Sequence, residues 1–557
     1  MEQVRQAIKA LSHTLFNVDI DPELTRPDEQ FGDYATNVAL QLAAQLKQKP
    51  REIAEKLTAE LKNQLADQVS EVNIAGPGFI NLRLKDQTLA QAALKTDLQK
   101  PLNKKVVVIE YSDPNPFKVL HAGHLYTTVV GDVIAKMLET AGATVHRLNY
   151  GGDVGLHVGK TMWAILQHIG GEYPEELAKV KPAERLEWLS ARYIEGNQAY
   201  EDDPAARQAI IELNKRVYQL HEAKDKTTKF AQIYWTGRQW SYQGFDALYA
   251  QLQISPFEKY IPESEVTPLG LEIVQEGLKK GVFEKSDGAV VFKGEEHGLH
   301  TRVFINANGL PTYEAKDLGL AAKKWQDYKF DLNVIVTAND IAEYMKVVLK
   351  ALSHFYPEVV SRSQHLTHGV IKLPGGVKMS SRKGNILRAT DILEAAREAN
   401  LKAVKNDNHT TVLAAVKYAF LRQRIGGDIV YDPAESVAVQ GNSGPYLQYA
   451  HARARSILAK ASKVEPVSIK QLEPTERSLA RKLSEYPEVF TAAVNELMPH
   501  HICTYLYELA QVFNRFYEKS HVIGDERQAI RLQLVEAYAK VLKSGLDLLN
   551  ISAPEQM

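Results

Sequence analysis

Two histidines, His121 and His124, flank Gly123 in the segment His-Ala-Gly-His. Residues 106–109, an apolar run typical of a buried parallel strand, precede them, and a helical pattern begins at about residue 122. Ligands bind where such a strand ends and its helix begins, and the free N–H groups of a helix start favour phosphate. Histidines add side-chain donors there, and glycine leaves room for a base or sugar. The pattern suits a nucleotide-phosphate site, although histidines that only cap a helix would look the same.

A second cluster lies about 250 residues later, where residues 378–385 read Lys-Met-Ser-Ser-Arg-Lys-Gly-Asn. Three cations, Lys378, Arg382 and Lys383, stand beside two hydroxyl groups and follow the Leu-Pro-Gly-Gly segment at 373–376. Such a glycine-flanked loop suits a mobile clamp on a polyphosphate. Taken alone, an exposed basic turn explains the same residues.

A β-loop-α-β unit is predicted to position both clusters. The helix that starts near residue 122 ends near Gly142, a typical C-terminal cap, and residues 145–148 form the next apolar strand. Further strands are predicted at 289–292, 302–305 and 333–336. Together these elements indicate a doubly wound α/β domain over residues 104–390. A charged helical insertion is expected at 172–225.

Two further units flank this domain. Residues 1–103 are expected to form a small α+β unit with helical periodicity over 1–16 and 34–65 and strand alternation over 72–84. Residues 391–557 are predicted to be almost entirely helical, since apolar side chains recur at helical spacing throughout.

Composition narrows the function classes. The 557 residues predict three to four domains, and a hydrophobic fraction of 45% with 24% charged residues excludes wholesale disorder. No apolar run reaches the roughly 18–20 residues of a membrane span, and the N-terminus lacks a secretory pattern. The single cysteine, Cys503, excludes an internal disulfide and any multi-cysteine zinc site. We therefore expect a soluble cytoplasmic protein with no membrane partner and no protein-bound metal.

Bulk charge does not predict a nucleic-acid partner, because the net charge is −1. One basic run is nevertheless opposed only by Glu465, and it consists of Arg453, Arg455, Lys460, Lys463 and Lys470. Considered alone, this run is best interpreted as a solvated helix face.

The two clusters together resemble the signature pair of class I aminoacyl-tRNA synthetases. Other segments narrow the resemblance to the arginyl-tRNA synthetases and extend over nearly the whole chain. They are Gly-Asp-Tyr-Ala-Thr-Asn at 32–37, Gly-Phe-Ile-Asn at 78–81, Glu-Tyr-Ser-Asp-Pro-Asn at 110–115, Gly-Asp at 131–132, the segment 444–453, Phe-Asn-Arg-Phe-Tyr at 513–517 and Pro-Glu-Gln-Met at 554–557. The chain departs from the family pattern at Val154 and His157, where members often carry Trp and Gln.

The resemblance implies a doubly wound Rossmann-type catalytic domain, a small N-terminal α+β domain that contacts tRNA, and an all-α anticodon-binding bundle. It implies a monomer that activates L-arginine with ATP and Mg²⁺ and transfers it to the 3′-terminal ribose of tRNA(Arg). The implied catalytic residues are His121, His124, Lys378 and Arg382. The implied ATP-binding residues are His121, Gly123, His124, Lys378, Met379, Ser380, Ser381 and Lys383.

The remaining implied roles concern arginine and tRNA. Carboxylates can hold a planar guanidinium through paired hydrogen bonds, and unpaired anticodon bases stack on aromatic side chains. The implied arginine-binding residues are Glu110, Ser112, Asn115, Tyr313, Asp317 and Asn339. The implied tRNA-binding residues are Phe79, Asn81, Tyr446, Tyr449, Arg453, Tyr517 and Met557. Tyr446 and Tyr449 are expected to share a helix face, and the apolar tail at 546–551 is expected to dock.

Two other functions are compatible with parts of the sequence. A catalytically silent tRNA-binding relative is disfavoured, because both signatures and the predicted arginine site are intact. A P-loop NTPase is excluded by glycine spacing, because Val154 stands where the motif before Lys160 requires glycine.

Overall fold

The computed structural model describes residues 2–118, 120–372, 374, 387–405, 407–461 and 465–557. In this part of the chain, no helix combines the length and apolar character that a membrane span requires. The elements follow the order that the sequence predicts: a small α+β unit comes first, an α/β domain with a helical insertion follows, and a helical bundle ends the chain.

The N-terminal unit is an antiparallel sheet covered by helices on one face, and its strands lie in the order β1-β2-β4-β3. Its elements are α1 Glu2–Phe16, β1 Leu24–Thr25, β2 Tyr34–Thr36, α2 Val38–Leu46, α3 Pro50–Gln64, β3 Val69–Ala75, β4 Phe79–Leu84 and α4 Asp86–Leu94. The prediction of helix from residue 34 is wrong for β2. Its residues are fully buried and pair with β4, so a tertiary contact overrides the local helical pattern.

The central sheet is wholly parallel, with strands in the order β12-β11-β5-β6-β7. Its strands are β5 Val106–Glu110, β6 Thr144–Gly151, β7 Lys259–Pro262, β11 Leu332–Ala338 and β12 Ser363–His368. The chain starts in the middle strand and builds outward on both sides, which confirms the doubly wound prediction. The carboxyl ends of β5 and β11 therefore meet at the switch point, where a ligand site is expected.

Helices cover this sheet, and small sheets accompany it. These elements are α5 Ala122–Thr140, α6 Leu156–Ile169, α7 Arg185–Asp202, α8 Pro204–Glu222, α9 Lys229–Gln251, α10 Glu263–Lys280, β8 Glu284–Ser286, β9 Ala289–Phe292, β10 Arg302–Ile305, α11 Tyr313–Tyr328, α12 Ala342–Leu352, α13 Pro357–Ser361 and β13 Ile371–Lys372. The predicted insertion is helical, as α7 and α8. The predicted strands β9 and β10 exist, but they pair with each other, and β9 pairs with β8, in a separate antiparallel sheet.

The C-terminal part is a helical bundle, as predicted. Its elements are α14 Ala389–Val404, α15 His409–Leu421, β14 Ile429–Val430, α16 Pro433–Ser436, α17 Gly444–Lys460, α18 Pro474–Ser484, α19 Tyr486–Glu496, α20 His500–Lys519 and α21 Gln528–Leu548. The short strand β14 pairs in parallel with β13, which ties the bundle to the catalytic part. The proposed limits 1–103, 104–390 and 391–557 remain predictions.

A buried ion pair fastens the N-terminal sheet to the bundle. Arg477 on α18 donates to Asp33 Oδ2 and to Asp86 Oδ1, each at 2.6 Å. Asp33 also accepts from the Leu84 N–H at 2.7 Å, so its carboxylate is held from both domains. Asp33 belongs to the segment 32–37 that resembles the synthetases, and its contacts here are structural.

We expect Arg477→Met to lower the thermal unfolding midpoint by several degrees. Removing one partner of a buried pair leaves uncompensated carboxylates and costs about 3–5 kcal/mol. Lys540→Met is the matched control, because Lys540 pairs with Glu536 on the exposed face of α21, where such a pair contributes about 0–1 kcal/mol. Scanning calorimetry measures both variants, and an Arg477→Met midpoint equal to that of the control would contradict this role.

Candidate active site

The two histidines of the first cluster cap the start of α5. His121 is the N-cap residue, and its Nδ1 accepts from the Gly123 N–H at 3.1 Å. His124 Nδ1 accepts from the His121 N–H at 3.3 Å. A neutral imidazole that accepts at Nδ1 carries its proton on Nε2. Capping and ligand binding are therefore compatible, because capping uses one nitrogen of each ring and leaves the other as a donor.

Both rings stay uncharged at neutral pH. Burial, reinforced by the nearby Lys118, lowers the pKa of His121 to about 4. Burial also lowers the pKa of His124 well below its usual range, and the adjacent His121 adds to this effect. The ring centroids lie 3.8 Å apart. The helix start thus presents two neutral Nε2–H donors side by side.

The chain that follows the second cluster pairs with this helix start. The Ala122 N–H donates to the Leu387 carbonyl at 2.8 Å, and the Ala389 N–H donates to the Leu120 carbonyl at 3.0 Å. These backbone hydrogen bonds hold the chain that follows the second cluster next to the His-Ala-Gly-His segment, although the two are distant in sequence. The predicted clamp residues themselves lie outside the described residues, and they are Lys378, Met379, Ser380, Ser381, Arg382 and Lys383.

A cavity of about 460 Å³ opens beside the histidines at the carboxyl ends of β5 and β11. Among its described lining residues, Arg302 is the sole lysine or arginine. Carboxylates dominate the wall, and they are Glu110, Asp113, Glu263, Asp317 and Asp340. A wall of this charge favours a ligand with more than one positive group. The sequence predicted Glu110 and Asp317, whereas the other three carboxylates converge only through the fold.

The two predicted carboxylates differ in how they are compensated. Glu110 is buried and accepts from Lys324 Nζ at 2.7 Å. Asp317 accepts from the Tyr344 hydroxyl at 2.6 Å, and no cation pairs with it among the described residues. Burial raises the pKa of Asp317 to about 7, and the charge of Glu110 adds to the rise. Asp317 is therefore a half-buried carboxylate that a ligand cation would stabilise in its charged form.

The loop after β5 approaches β6 closely. Asn115 Oδ1 accepts from the Gly152 N–H at 2.8 Å, which leaves the Asn115 amide donors free for a ligand. A Cβ on Gly152 would stand 2.6 Å from Asn115 Oδ1, so a larger residue here would displace the Asn115 side chain. Ser112 lines the same cavity, but its hydroxyl already lies 2.6 Å from the Tyr249 hydroxyl and 2.8 Å from Thr128 Oγ1.

Two successive residues of this loop have left-handed backbone conformations. Ser112 has a φ of 76° and Asp113 a φ of 47°. Each such residue costs about 1–2 kcal/mol, and the Asp113 carboxylate offsets part of this cost by accepting from the Tyr150 N–H at 2.8 Å. The strain turns the loop toward the cavity, which is where strained backbone concentrates in proteins.

The remaining predicted arginine-site residues differ in position. Tyr313 lines the cavity at the start of α11. The side chain of Asn339 donates to the Gly426 carbonyl at 2.9 Å, and Asn339 does not belong to the described cavity wall. At the two positions that depart from the family pattern, Val154 is buried and His157 Nε2 lies 2.7 Å from the Gly152 carbonyl. His157 thus steadies the loop that faces Asn115.

A second cavity, of about 1120 Å³, lies between α17, α20 and the C-terminal tail. Four predicted tRNA residues line it: Tyr449, Arg453, Tyr517 and Met557. The Arg453 guanidinium lies 4.5 Å from the centre of the Tyr517 ring. The structure brings these residues together from three segments, in a wall that also contains Arg455 and Lys460.

Tyr446 lies away from this cavity. Its hydroxyl accepts from Asn514 Nδ2 at 2.9 Å, and its ring packs against Tyr507. Side chains three positions apart on a helix diverge by about 60°, so Tyr446 turns toward the bundle while Tyr449 is 47% exposed. The two tyrosines do not share the cavity face that the sequence predicts.

The C-terminal tail docks on the bundle, as predicted. Gln448 Nε2 donates to the Ser552 carbonyl at 2.8 Å, and His451 Nδ1 lies 2.8 Å from the Pro554 carbonyl. The apolar residues of this segment are buried, and they are Leu546, Leu548, Leu549 and Ile551. These contacts hold Met557 in the cavity wall.

Phe79 and Asn81 lie on the outer face of β4, where Phe79 is 42% exposed. They alternate with Ile80 and Leu82, which are fully buried against the helices of the N-terminal unit. The two predicted residues therefore face away from the core and are free to meet a partner.

Comparison with known proteins defines the class first. Residues 86–432 match the family model for the catalytic domain of class I tRNA synthetases (R), and residues 447–557 match the DALR anticodon binding domain. Residues 1–84 match the arginyl tRNA synthetase N terminal domain. The arrangement of sheet, insertion and bundle is thus that of a class I aminoacyl-tRNA synthetase.

Individual relatives narrow the class. The chain is 31% identical to the arginine–tRNA ligase of Bdellovibrio bacteriovorus over 95% of this chain and 93% of the relative. It is 32% identical to that of Cutibacterium acnes over 97% of both chains. The structure of Thermus thermophilus arginyl-tRNA synthetase aligns over 100% of both chains with a TM-score of 0.81 and 25% identity. The chain belongs to the arginyl-tRNA synthetases, the class I enzymes that ligate arginine to tRNA.

We expect arginine affinity to rise with pH between about 6 and 8. The pKa of Asp317 near 7 in the empty cavity means that a cation must displace its proton below that pH. Affinity should change by up to about tenfold per pH unit below 7 and level off above it. Calorimetry in buffers of different ionisation enthalpy should detect proton release at pH 6 and much less at pH 8. Asp317→Asn keeps the shape, and it should bind arginine weakly without this dependence. A wild-type affinity that is flat with pH would contradict the role.

Proposed function

We propose that the acidic cavity beside α5 activates L-arginine with ATP and that the C-terminal cavity and the outer face of β4 hold tRNA(Arg) during transfer. The observation that carries the proposal is the meeting of an uncompensated carboxylate, Asp317, with two neutral histidine donors at one helix start.

Arginine lies with its guanidinium toward Asp317 and Glu110. Both carboxylates line the same cavity, and Lys324 already neutralises one of them. The guanidinium of the substrate therefore supplies the positive charge that compensates Asp317. Asn115 donates an amide hydrogen toward the substrate carboxylate, and Tyr313 covers the side chain from the cavity mouth. Contacts from Ser112 and Asn339 remain predictions, since both side chains already have partners in the protein.

ATP binds with its phosphates at the start of α5. His121 and His124 donate Nε2–H toward the phosphate oxygens, and Gly123 lets the nucleotide approach the helix. An oxygen of the arginine carboxylate attacks the α-phosphorus, the bond to the bridging oxygen breaks, and diphosphate leaves with the electron pair. The two histidines stabilise the negative charge that develops on the phosphate oxygens in the transition state. Catalysis therefore depends on positioning and electrostatics rather than on a protein nucleophile.

Lys378 and Arg382 neutralise the departing diphosphate, with Met379, Ser380, Ser381 and Lys383 completing the ATP site; this assignment rests on the family pattern. Mg²⁺ accompanies ATP as part of the substrate. A hydroxyl of the terminal tRNA ribose then attacks the carbonyl carbon of the adenylate, and AMP leaves.

The anticodon is read in the C-terminal cavity. Tyr449 and Tyr517 offer stacking surfaces, Arg453 offers a cation beside Tyr517, and Met557 closes the wall. Phe79 and Asn81 meet tRNA from the N-terminal unit. Action as a monomer and location in the cytoplasm remain predictions.

Exchange of labelled pyrophosphate into ATP tests the proposal. Exchange should require both arginine and tRNA(Arg), as the family pattern implies, and lysine should not replace arginine. His124→Ala should lower the rate by about a hundred- to a thousandfold, since it removes one preorganised donor, while tRNA affinity stays near normal. Exchange with lysine or glutamate would overturn the substrate, and a fully active His124→Ala would overturn the role of the helix start. A folded chain that binds tRNA but never exchanges would favour the silent relative.

Deleting residues 553–557 should raise the KM for tRNA and leave kcat at saturating tRNA near normal. The deletion removes Met557 from the cavity wall and breaks the contacts of the tail with His451 and Arg455. Losing the apolar contact of one methionine side chain costs up to about 1.5–3 kcal/mol, which corresponds to a rise in KM of up to about 10- to 150-fold. Arginine activation should weaken at low tRNA concentration. Steady-state aminoacylation over a range of tRNA concentrations measures both constants, and an unchanged KM would remove the tail from the recognition surface.

A further inference from the structure

We infer that a basic groove between the N-terminal sheet and the helical bundle binds the phosphate backbone of tRNA through Arg83, Lys85 and Lys470. The groove has a volume of about 850 Å³, and both domains contribute to its wall. This inference rests on the proposed function, because it takes tRNA as the partner. It adds a binding surface between the two tRNA contacts proposed above.

The three cations have no ion-pair partner within the described residues, although all three line the same groove. Glu71, which lies opposite Arg83 in the sheet, accepts instead from Asn73 Nδ2 at 3.2 Å. Paired cations can stabilise the fold, whereas unpaired cations in one groove repel one another and destabilise the folded state. A polyanion in the groove would relieve that repulsion.

The acidic residues of the groove do not cancel this charge. Asp86 is already occupied, since it accepts from Arg477 Nη1 at 2.6 Å and from the Leu472 N–H at 3.0 Å. Glu29 accepts from the Ser478 hydroxyl and is the one remaining carboxylate in the described wall. The groove therefore carries an excess of positive charge in a chain whose net charge is −1.

The groove adjoins the face of β4 that is proposed to contact tRNA, because Arg83 belongs to both. Side chains alternate along a strand, so Arg83 lies on the same outer face as Phe79 and Asn81. Four residues of strand span about 13 Å. Arg83 therefore lies beyond Asn81 on the same face of β4, about 13 Å from Phe79. Lys85 follows directly where the strand ends, at the N-cap of α4.

Lys470 brings the helical bundle into the same groove. It is the last cation of the basic run that begins at Arg453, and three earlier members, Arg453, Arg455 and Lys460, line the C-terminal cavity. The run therefore contributes cations both to the C-terminal cavity and to the groove. The buried Asp33–Arg477 pair fixes the two walls of the groove relative to each other, so its cations are preorganised.

The salt dependence of tRNA binding tests this inference. The variant Arg83→Gln/Lys85→Gln/Lys470→Gln removes three cations, and Lys9→Gln/Lys56→Gln/Lys62→Gln removes three exposed lysines from α1 and α3, which cover the opposite face of the sheet. The groove variant should weaken tRNA binding at least about tenfold at low salt. It should also reduce the slope of log Kd against log salt by about 2 to 3 between about 50 and 200 mM. The control variant should match wild type in both.

Two further measurements separate the possible outcomes. Phosphate contacts carry no base information, so the groove variant should weaken tRNA(Arg) and an unrelated tRNA equally and leave kcat at saturating tRNA(Arg) unchanged. The single variant Lys470→Glu, at an exposed position of a loop, should raise Kd in the same direction. The inference would be overturned if the groove variant had the wild-type Kd for tRNA and the wild-type salt slope. It would also be overturned if the control variant lost as much tRNA affinity as the groove variant. Wild-type protein that fails to charge tRNA(Arg) would instead overturn the proposed function.

Discussion

The start of α5 is the constraint on which the active site depends. Its first free N–H groups must be satisfied, and His121 and His124 satisfy two of them with their Nδ1 atoms. That same bonding fixes the tautomer and turns both Nε2–H groups into donors. The backbone of residues 387–389 closes on this point as well. One arrangement thus caps the helix, joins the chain after the second signature to the first, and presents the donors that the proposed phosphate site needs.

Charge balance organises the cavity beside that helix. Taking several carboxylates out of water is costly unless each one is compensated. Lys324 compensates Glu110, and Lys316 compensates Glu263 at 2.5 Å. Asp317 has no such partner among the described residues, and burial together with the charge of Glu110 raises its pKa to about 7. In the proposed function, the guanidinium of the substrate supplies the positive charge that Asp317 lacks.

Much of this could be predicted before the structure was known. The apolar run of β5, the following helix and the helical periodicity after residue 390 gave the fold class, because these patterns are local. The segment Tyr34–Thr36 could not be predicted, since its strand exists only through pairing with β4. Tyr446 could not be separated from Tyr449 by spacing alone, because the bundle decides which side of α17 is covered.

By itself, the sequence determined the chemistry that is available: the two histidines, the two predicted carboxylates and the stacking aromatics are visible as residue types at fixed spacing. Only the tertiary structure decided how these groups act. Asp113, Glu263 and Asp340 reach the arginine cavity from three separate segments, and Arg83 meets Lys470 across a domain boundary. Local patterns record the neighbours of a residue along the chain. Charge, burial and proton affinity depend on neighbours in space, which the packed domains alone bring together.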